Sequence, residues 1–141
     1  LKGQWLLISV ASGACDAACQ NHLYLQRQLR EGLGKDKDRL DWVWLVNDDV
    51  TPSEALRQGV QKATVLRMDP TALAAWLAPA AGHQIHEHLY VVDPMGNWML
   101  RFPAGLDKST APKAKRDLER LMRASASWDK AGREGREGVA P

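Results

Sequence analysis

Cys15 and Cys19 are the two cysteines of the chain, separated by Asp16, Ala17 and Ala18. At i and i+4 on a helix, or on its first turn, both sulfurs project from one face. That separation suits either a disulfide or a shared metal ion. A helix start stabilises thiolate through its unpaired N–H groups and its dipole. Thiolate is the attacking species in disulfide exchange and also the ligand form for soft metals. Thiol oxidoreductases usually place two residues between their cysteines. Three residues favour presenting both thiolates to one Cu(I) or Zn(II) ion. A static disulfide is a third reading, although two close cysteines are not a structural disulfide framework.

Histidine supplies the expected further ligand. His83, His86 and His88 cluster ahead of an apolar run, and His86 and His88 share a face if a strand is regular there. Either is a candidate metal ligand beside the thiols. His22 lies one turn after Cys19, in a stripe with Leu25 and Leu29, and reads as a packed histidine. Asp48 and Asp49 read as turn residues capping the next helix, and Asp93 as a hairpin-turn residue. The chain shows no Ser-His-Asp order, no glycine-rich phosphate loop and no paired acids at a persuasive spacing.

The elements that must position these groups are legible. Trp5 to Val10 is apolar except at Ser9, as in a strand buried on both faces. Ala11 to Ala14 is a small-residue loop. A helix follows, with Ala18, Leu25, Leu29 and Leu33 on one face and Gly32 and Gly34 at its end. Residues 35–39 form a charged turn, and Leu40 to Val46 a second buried strand. The strand–helix–strand order predicts a parallel, right-handed crossover that brings Asn47 to the cysteine edge of the sheet. Ser53 is placed to cap a short helix from Glu54 to about Val60. Ala63 to Met68 reads as a third strand, and Asp69-Pro70 opens a helix over Thr71 to Leu77. A strand from His86 to Val92, a turn over 93–97 with Gly96 at positive φ, and a strand from Trp98 to Phe102 make an antiparallel hairpin. A last helix runs from Ala111 to about Ala126, its stripe Ala114, Leu118, Leu121, Met122 and Ser125. Its basic face, with Lys113, Lys115, Arg116, Arg120 and Arg123, reads as solvated surface. Residues 1–128 thus form one domain, and the glycine-rich, charged stretch 129–141 is expected to be a disordered tail.

Composition bounds the function. The 141 residues suit one domain with a real core, 45% of them apolar and 26% charged. A net charge of +2, without aromatics interleaved among the bases, gives no case for nucleic acid. Six tryptophans beside one phenylalanine point to core packing. No apolar run approaches the roughly 18 residues of a membrane span. The chain opens on Leu1-Lys2-Gly3-Gln4, so an upstream segment, a signal peptide or membrane anchor, is expected.

The order β-α-β, two short elements, a β-hairpin and a helix is similar to the thioredoxin arrangement: an α/β fold of three layers, a central mixed sheet flanked by helices. The Cys-x-x-x-Cys pair after the first strand, with Glu87-His88-Leu89-Tyr90-Val91-Val92-Asp93-Pro94-Met95-Gly96, resembles the Sco/SenC type over most of residues 1–126. That family has a histidine before a strand ending in Asp/Asn-Pro-x-Gly. Its usual Cys-Pro-x-x-Cys-Pro is replaced here by Asp16 and Gln20 at the proline positions, as in a divergent proteobacterial branch. The resemblance implies a copper-binding or thiol-redox factor assisting assembly of the copper centre of cytochrome c oxidase. Cys15 and Cys19 would hold Cu(I), with His88 or His86 completing the site. It implies a location on the periplasmic side of the bacterial inner membrane, and as partner the oxidase's copper-bearing subunit or another periplasmic dithiol protein. The alternative is a periplasmic thiol–disulfide oxidoreductase without a metal role, with Cys15 attacking and Cys19 resolving.

Overall fold

A computed structural model describes residues 3–126. The elements in chain order are β1 (Trp5–Ala11), α1 (Ala17–Glu31), a 3-10 turn (Gly34–Arg39), β2 (Leu40–Val46), α2 (Glu54–Gly59) and β3 (Thr64–Arg67). There follow α3 (Pro70–Trp76), a second 3-10 turn (Ile85–Glu87), β4 (Leu89–Val92), β5 (Trp98–Arg101) and α4 (Ala111–Ala124). The tail expected over 129–141 lies outside the described residues.

Five strands form one sheet in the order β3-β2-β1-β4-β5. β1 runs parallel to β2, and β2 to β3. β4 is antiparallel to β1 and to β5. The alternation of side chains along β1 divides the core. Trp5 and Leu7 meet Leu25 and Leu29 of α1 and Leu118 and Met122 of α4 on one face. Leu6, Ile8 and Val10 meet Leu73 of α3 and Leu77 on the other. This is the expected mixed sheet between helical layers. The five tryptophans among the described residues are distributed among these cores: Trp5 in the first, Trp76 and Trp98 against the second, and Trp42 and Trp44 in a third cluster under the cysteines.

Helix starts follow local chemistry. Asp16 precedes α1, and its Oδ1 accepts from the Cys19 N–H at 2.9 Å. Ser53 Oγ accepts from Leu56 N–H at 3.1 Å ahead of α2, and the Asp69 carboxylate accepts from Thr71 and Ala72 ahead of α3, where Pro70 takes the first position. In the hairpin turn Asp93 Oδ1 accepts from Met95 N–H at 2.9 Å and Asn97 N–H at 2.8 Å, while Gly96 sits at φ 91°.

Two expectations are corrected. The chain does not enter β4 as a regular strand from His86. Gln84 and Glu87 form a capping box, with the Gln84 N–H donating to the Glu87 carboxylate, and this winds residues 85–87 into a 3-10 turn. His86 and His88 therefore do not share a strand face. Ala18 is exposed instead of joining the stripe of α1, which is carried by Cys19, His22, Leu23, Leu25, Gln26 and Leu29. Ala18 instead lines the cavity beside the cysteines.

Candidate redox and metal site

The carboxyl ends of β1 and β2 and the start of α1 meet at one edge of the sheet. Cys15 lies just before α1 and Cys19 in its first turn, and the two are joined as a disulfide with Cα atoms 5.0 Å apart. The pair is buried, 3% and 4% exposed, against Leu23, Trp42, Trp44, Val46 and Val60. Cys15 adopts φ 46°, the left-handed region that a residue with a side chain enters at some cost. Its carbonyl accepts from Gln20 Nε2 at 3.1 Å, and its N–H closes a turn on Ser12 O at 3.0 Å. The Asp16 bond to Cys19 N–H ties the second cysteine into the helix start.

A cavity of about 320 Å³ opens over the pair. Ala11, Ser12, Ala14 and Ala18 give it small walls, and Asp16, Asn47 and His86 complete the lining. Cys15, Cys19 and His86 thus line a single cavity. His86 is exposed at the tip of its 3-10 turn, which is steadied by the Glu87–Gln84 bond and by Tyr90 Oη donating to Ile85 O at 2.9 Å. Burial pushes the Tyr90 phenol up to about 12, so it stays a donor across the physiological range.

His88 occupies a different environment. It is 1% exposed, and both ring nitrogens are engaged by main chain: Nδ1 lies 2.8 Å from Phe102 O, and Nε2 accepts from Ala80 N–H at 3.1 Å. A carbonyl can only accept and an amide N–H can only donate, so the bonding places the proton on Nδ1. Neither nitrogen is left to bind a metal in this arrangement. His88 fastens the 78–82 loop and the end of β5 to β4. His83 lies outside the cavity rim; its Nδ1 meets Glu87 Oε1 at 3.1 Å and its ring packs edge-on to His88. His22 is buried as expected. Burial holds its pKa below the usual value, His86 and His88 push it further down, and Asp16 opposes them. Among the described residues, no three His, Cys, Asp or Glu side chains form a ready metal cluster with the pair in its disulfide form.

Asp48 is not a helix cap, because Ser53 performs that task. Its Oδ1 accepts from Gly13 N–H and from Val50 N–H, each at 3.1 Å, and so joins the loop after β2 to the cysteine loop. Its pKa is lowered first by a hydrogen bond from the Ser12 side chain, then by the Gly13 and Val50 N–H bonds, with Arg67 adding a smaller effect. The glycine is required: a Cβ on Gly13 would lie 1.8 Å from Val50 O. The sequence signals were a glycine in the small-residue loop and an acid at the facing strand end, but only the folded contact joins them.

Over residues 5–125 the sequence matches the family described as "Transmembrane-like, thioredoxin-like, C-terminal domain". The chain belongs to this family. No curated protein matches it. Among solved structures it is similar to Bradyrhizobium japonicum ScoI with copper bound, at 20% identity and TM-score 0.57, covering 85% of this chain and 86% of that one. A SCO1/SenC family lipoprotein from Bacillus anthracis str. Ames is 19% identical, with TM-score 0.58 over 86% of this chain and 83% of that one. A thiol:disulfide interchange protein of the thioredoxin family from Chlorobium tepidum TLS is 14% identical, with TM-score 0.57 over 87% and 80%. These likenesses show a thioredoxin-like fold, the fold of those Sco/SenC structures. Among the described residues no helix is long and apolar enough to cross a membrane.

Proposed function

We propose that this domain is a Sco-like thiol factor whose Cys15–Cys19 pair cycles between disulfide and dithiol, and whose reduced form binds Cu(I) for delivery to the copper centre of cytochrome c oxidase. The observation that carries the reading is that both cysteines and His86 line one cavity. Opening the pair takes two electrons and two protons from a partner dithiol, which becomes a disulfide, and yields two thiols. Deprotonated, these are soft donors suited to Cu(I), and the imidazole is a compatible third ligand. The donor set therefore fits the metal, with Cys15, Cys19 and His86 as the residues that would hold it. Bound there, copper would be the protein's cargo. This chain's contribution is to gather the donors: Asp16 and Gln20 fix the main chain of the two cysteines, and the turn over residues 85–87 sets His86 at the rim. Small walls leave room for a thiol or an acceptor ligand from a partner, for which the oxidase's copper-bearing subunit or another dithiol protein is the expected source. A location on the outer face of the bacterial inner membrane would bring domain and partner together.

The test is Cu(I) titration of the reduced protein against a chromophoric chelator. One equivalent is expected, bound at least tenfold more weakly in His86→Ala and lost in Cys15→Ser. Absence of binding above the chelator background overturns the copper role. The placement of Cys15 and Cys19 at the start of α1 also favours a second reading, thiol–disulfide exchange without metal. Disulfide-reductase turnover that vanishes in Cys15→Ser, in a protein that binds no copper, would select it.

A further inference from the structure

The loop bearing Cys15 is held from outside its own segment. Asp48 Oδ1 receives the Gly13 and Val50 N–H groups at 3.1 Å each. The two loops touch so closely that the Val50 carbonyl occupies the space a Gly13 side chain would need. Asp48 is itself anchored, because Arg67 Nε donates to its carbonyl oxygen at 2.8 Å. Nearby, Asn47 N–H donates to Ala11 O at 3.2 Å and Trp44 Nε1 to the same oxygen at 3.3 Å. Cys15 follows two residues after this clamp, with its main chain in the left-handed region at φ 46°. An unrestrained loop would leave that region readily, carrying the Cys15 sulfur away from Cys19.

We propose that Asp48 is a positioning residue for the dithiol: by clamping Gly13 and Val50 around one carboxylate, it keeps Cys15 beside Cys19 and favours the disulfide over the open dithiol. The inference rests on the pair being a reversible redox couple, as in the proposed function. Asp48 touches neither sulfur among the contacts described, and acts through the loop. Releasing the loop adds conformational freedom mainly to the dithiol, where no covalent bond restrains it. The disulfide then forms less readily.

The experiment equilibrates wild type, Asp48→Ala and Asp48→Asn with defined dithiothreitol and glutathione ratios and counts free thiols, with circular dichroism confirming the fold. For Asp48→Ala the equilibrium constant for disulfide formation is expected to fall about tenfold, a potential about 30 mV less negative. Asp48→Asn keeps an acceptor oxygen and is expected to stay within about twofold of wild type. A folded Asp48→Ala protein with an unchanged equilibrium overturns the proposal. So does Asp48→Asn shifting as far as alanine, which would assign the effect to charge. Should Asp48→Ala fail to fold, Arg67→Ala releases the anchor on the Asp48 carbonyl and is expected to shift the equilibrium about threefold in the same direction; no shift there overturns it. The wild-type curve alone decides the underlying reading: a pair that opens at no thiol ratio refutes reversible redox chemistry, and the clamp with it. A reversible wild type with an unaffected variant refutes only the clamp.

Discussion

Replacing His88 by alanine, set beside the same change at His86, separates a histidine that holds the fold from one that serves the site. His88 is buried, and its ring bridges Phe102 O at 2.8 Å and Ala80 N–H at 3.1 Å. Alanine would strand an acceptor and a donor and leave a void the size of most of an imidazole. A buried polar group without its partner costs about 1–3 kcal/mol, and the void adds a further contribution, so a total of about 3–5 kcal/mol is expected. With a slope of about 2 kcal/mol per molar urea, typical of a small domain, the unfolding midpoint should fall by about 2 M. His86 is exposed, so His86→Ala should move stability by no more than about 0.5 kcal/mol. Urea unfolding followed by tryptophan fluorescence measures both, and Cu(I) titration of the reduced proteins supplies the second readout. His88→Gln, which can again donate and accept, should recover part of the stability. If His88→Ala unfolds within 1 kcal/mol of wild type but loses copper binding, the assignment of the two histidines is reversed.

Three further outcomes are expected. Gly13→Ala sets a methyl 1.8 Å from Val50 O, so the two loops must part; the Cys15–Cys19 pair should then be reduced faster by dithiothreitol, and an unchanged rate would show that the loops yield without consequence. The His22 pKa is lowered on folding, so the unfolded chain takes up a proton near its ordinary value of about 6.5 before the native protein does. Stability should be full above that pH and decline as pH falls below it; the melting temperature of His22→Gln between pH 8 and 5 should decline less, and parallel curves would contradict the burial argument. Leu118 of α4 is fully buried in the core it shares with α1 and the sheet, and Leu118→Ala should cost about 2–5 kcal/mol in chemical denaturation without altering the thiol equilibrium.

The hairpin and the crossover were legible because their signals are local. Gly96 and Asp93 define a turn by their own backbone and side-chain chemistry, and the buried runs Trp5 to Val10 and Leu40 to Val46 leave few alternatives to parallel central strands. The approach to β4 was harder to read. His86, Glu87 and His88 precede a clear strand, and the pattern extends naturally through them, but the Gln84–Glu87 capping box winds the chain into a turn first. That one local competition redirects His86 to the cysteine cavity and leaves His88 between Phe102 and Ala80.

The order of residues along the chain set the chemistry on offer: two thiols four residues apart at a strand–helix junction, histidines ahead of a hairpin, and elements in a thioredoxin-like order. Those depend on residue type and short-range spacing. The tertiary structure alone decided which histidine meets the thiols, and that Asp48 reaches across 35 positions to the Gly13 amide. It also seated Trp42 and Trp44 beneath the cysteines. Each of these is a contact between segments distant along the chain, fixed by strand register and loop path, for which spacing along the sequence carries no signal.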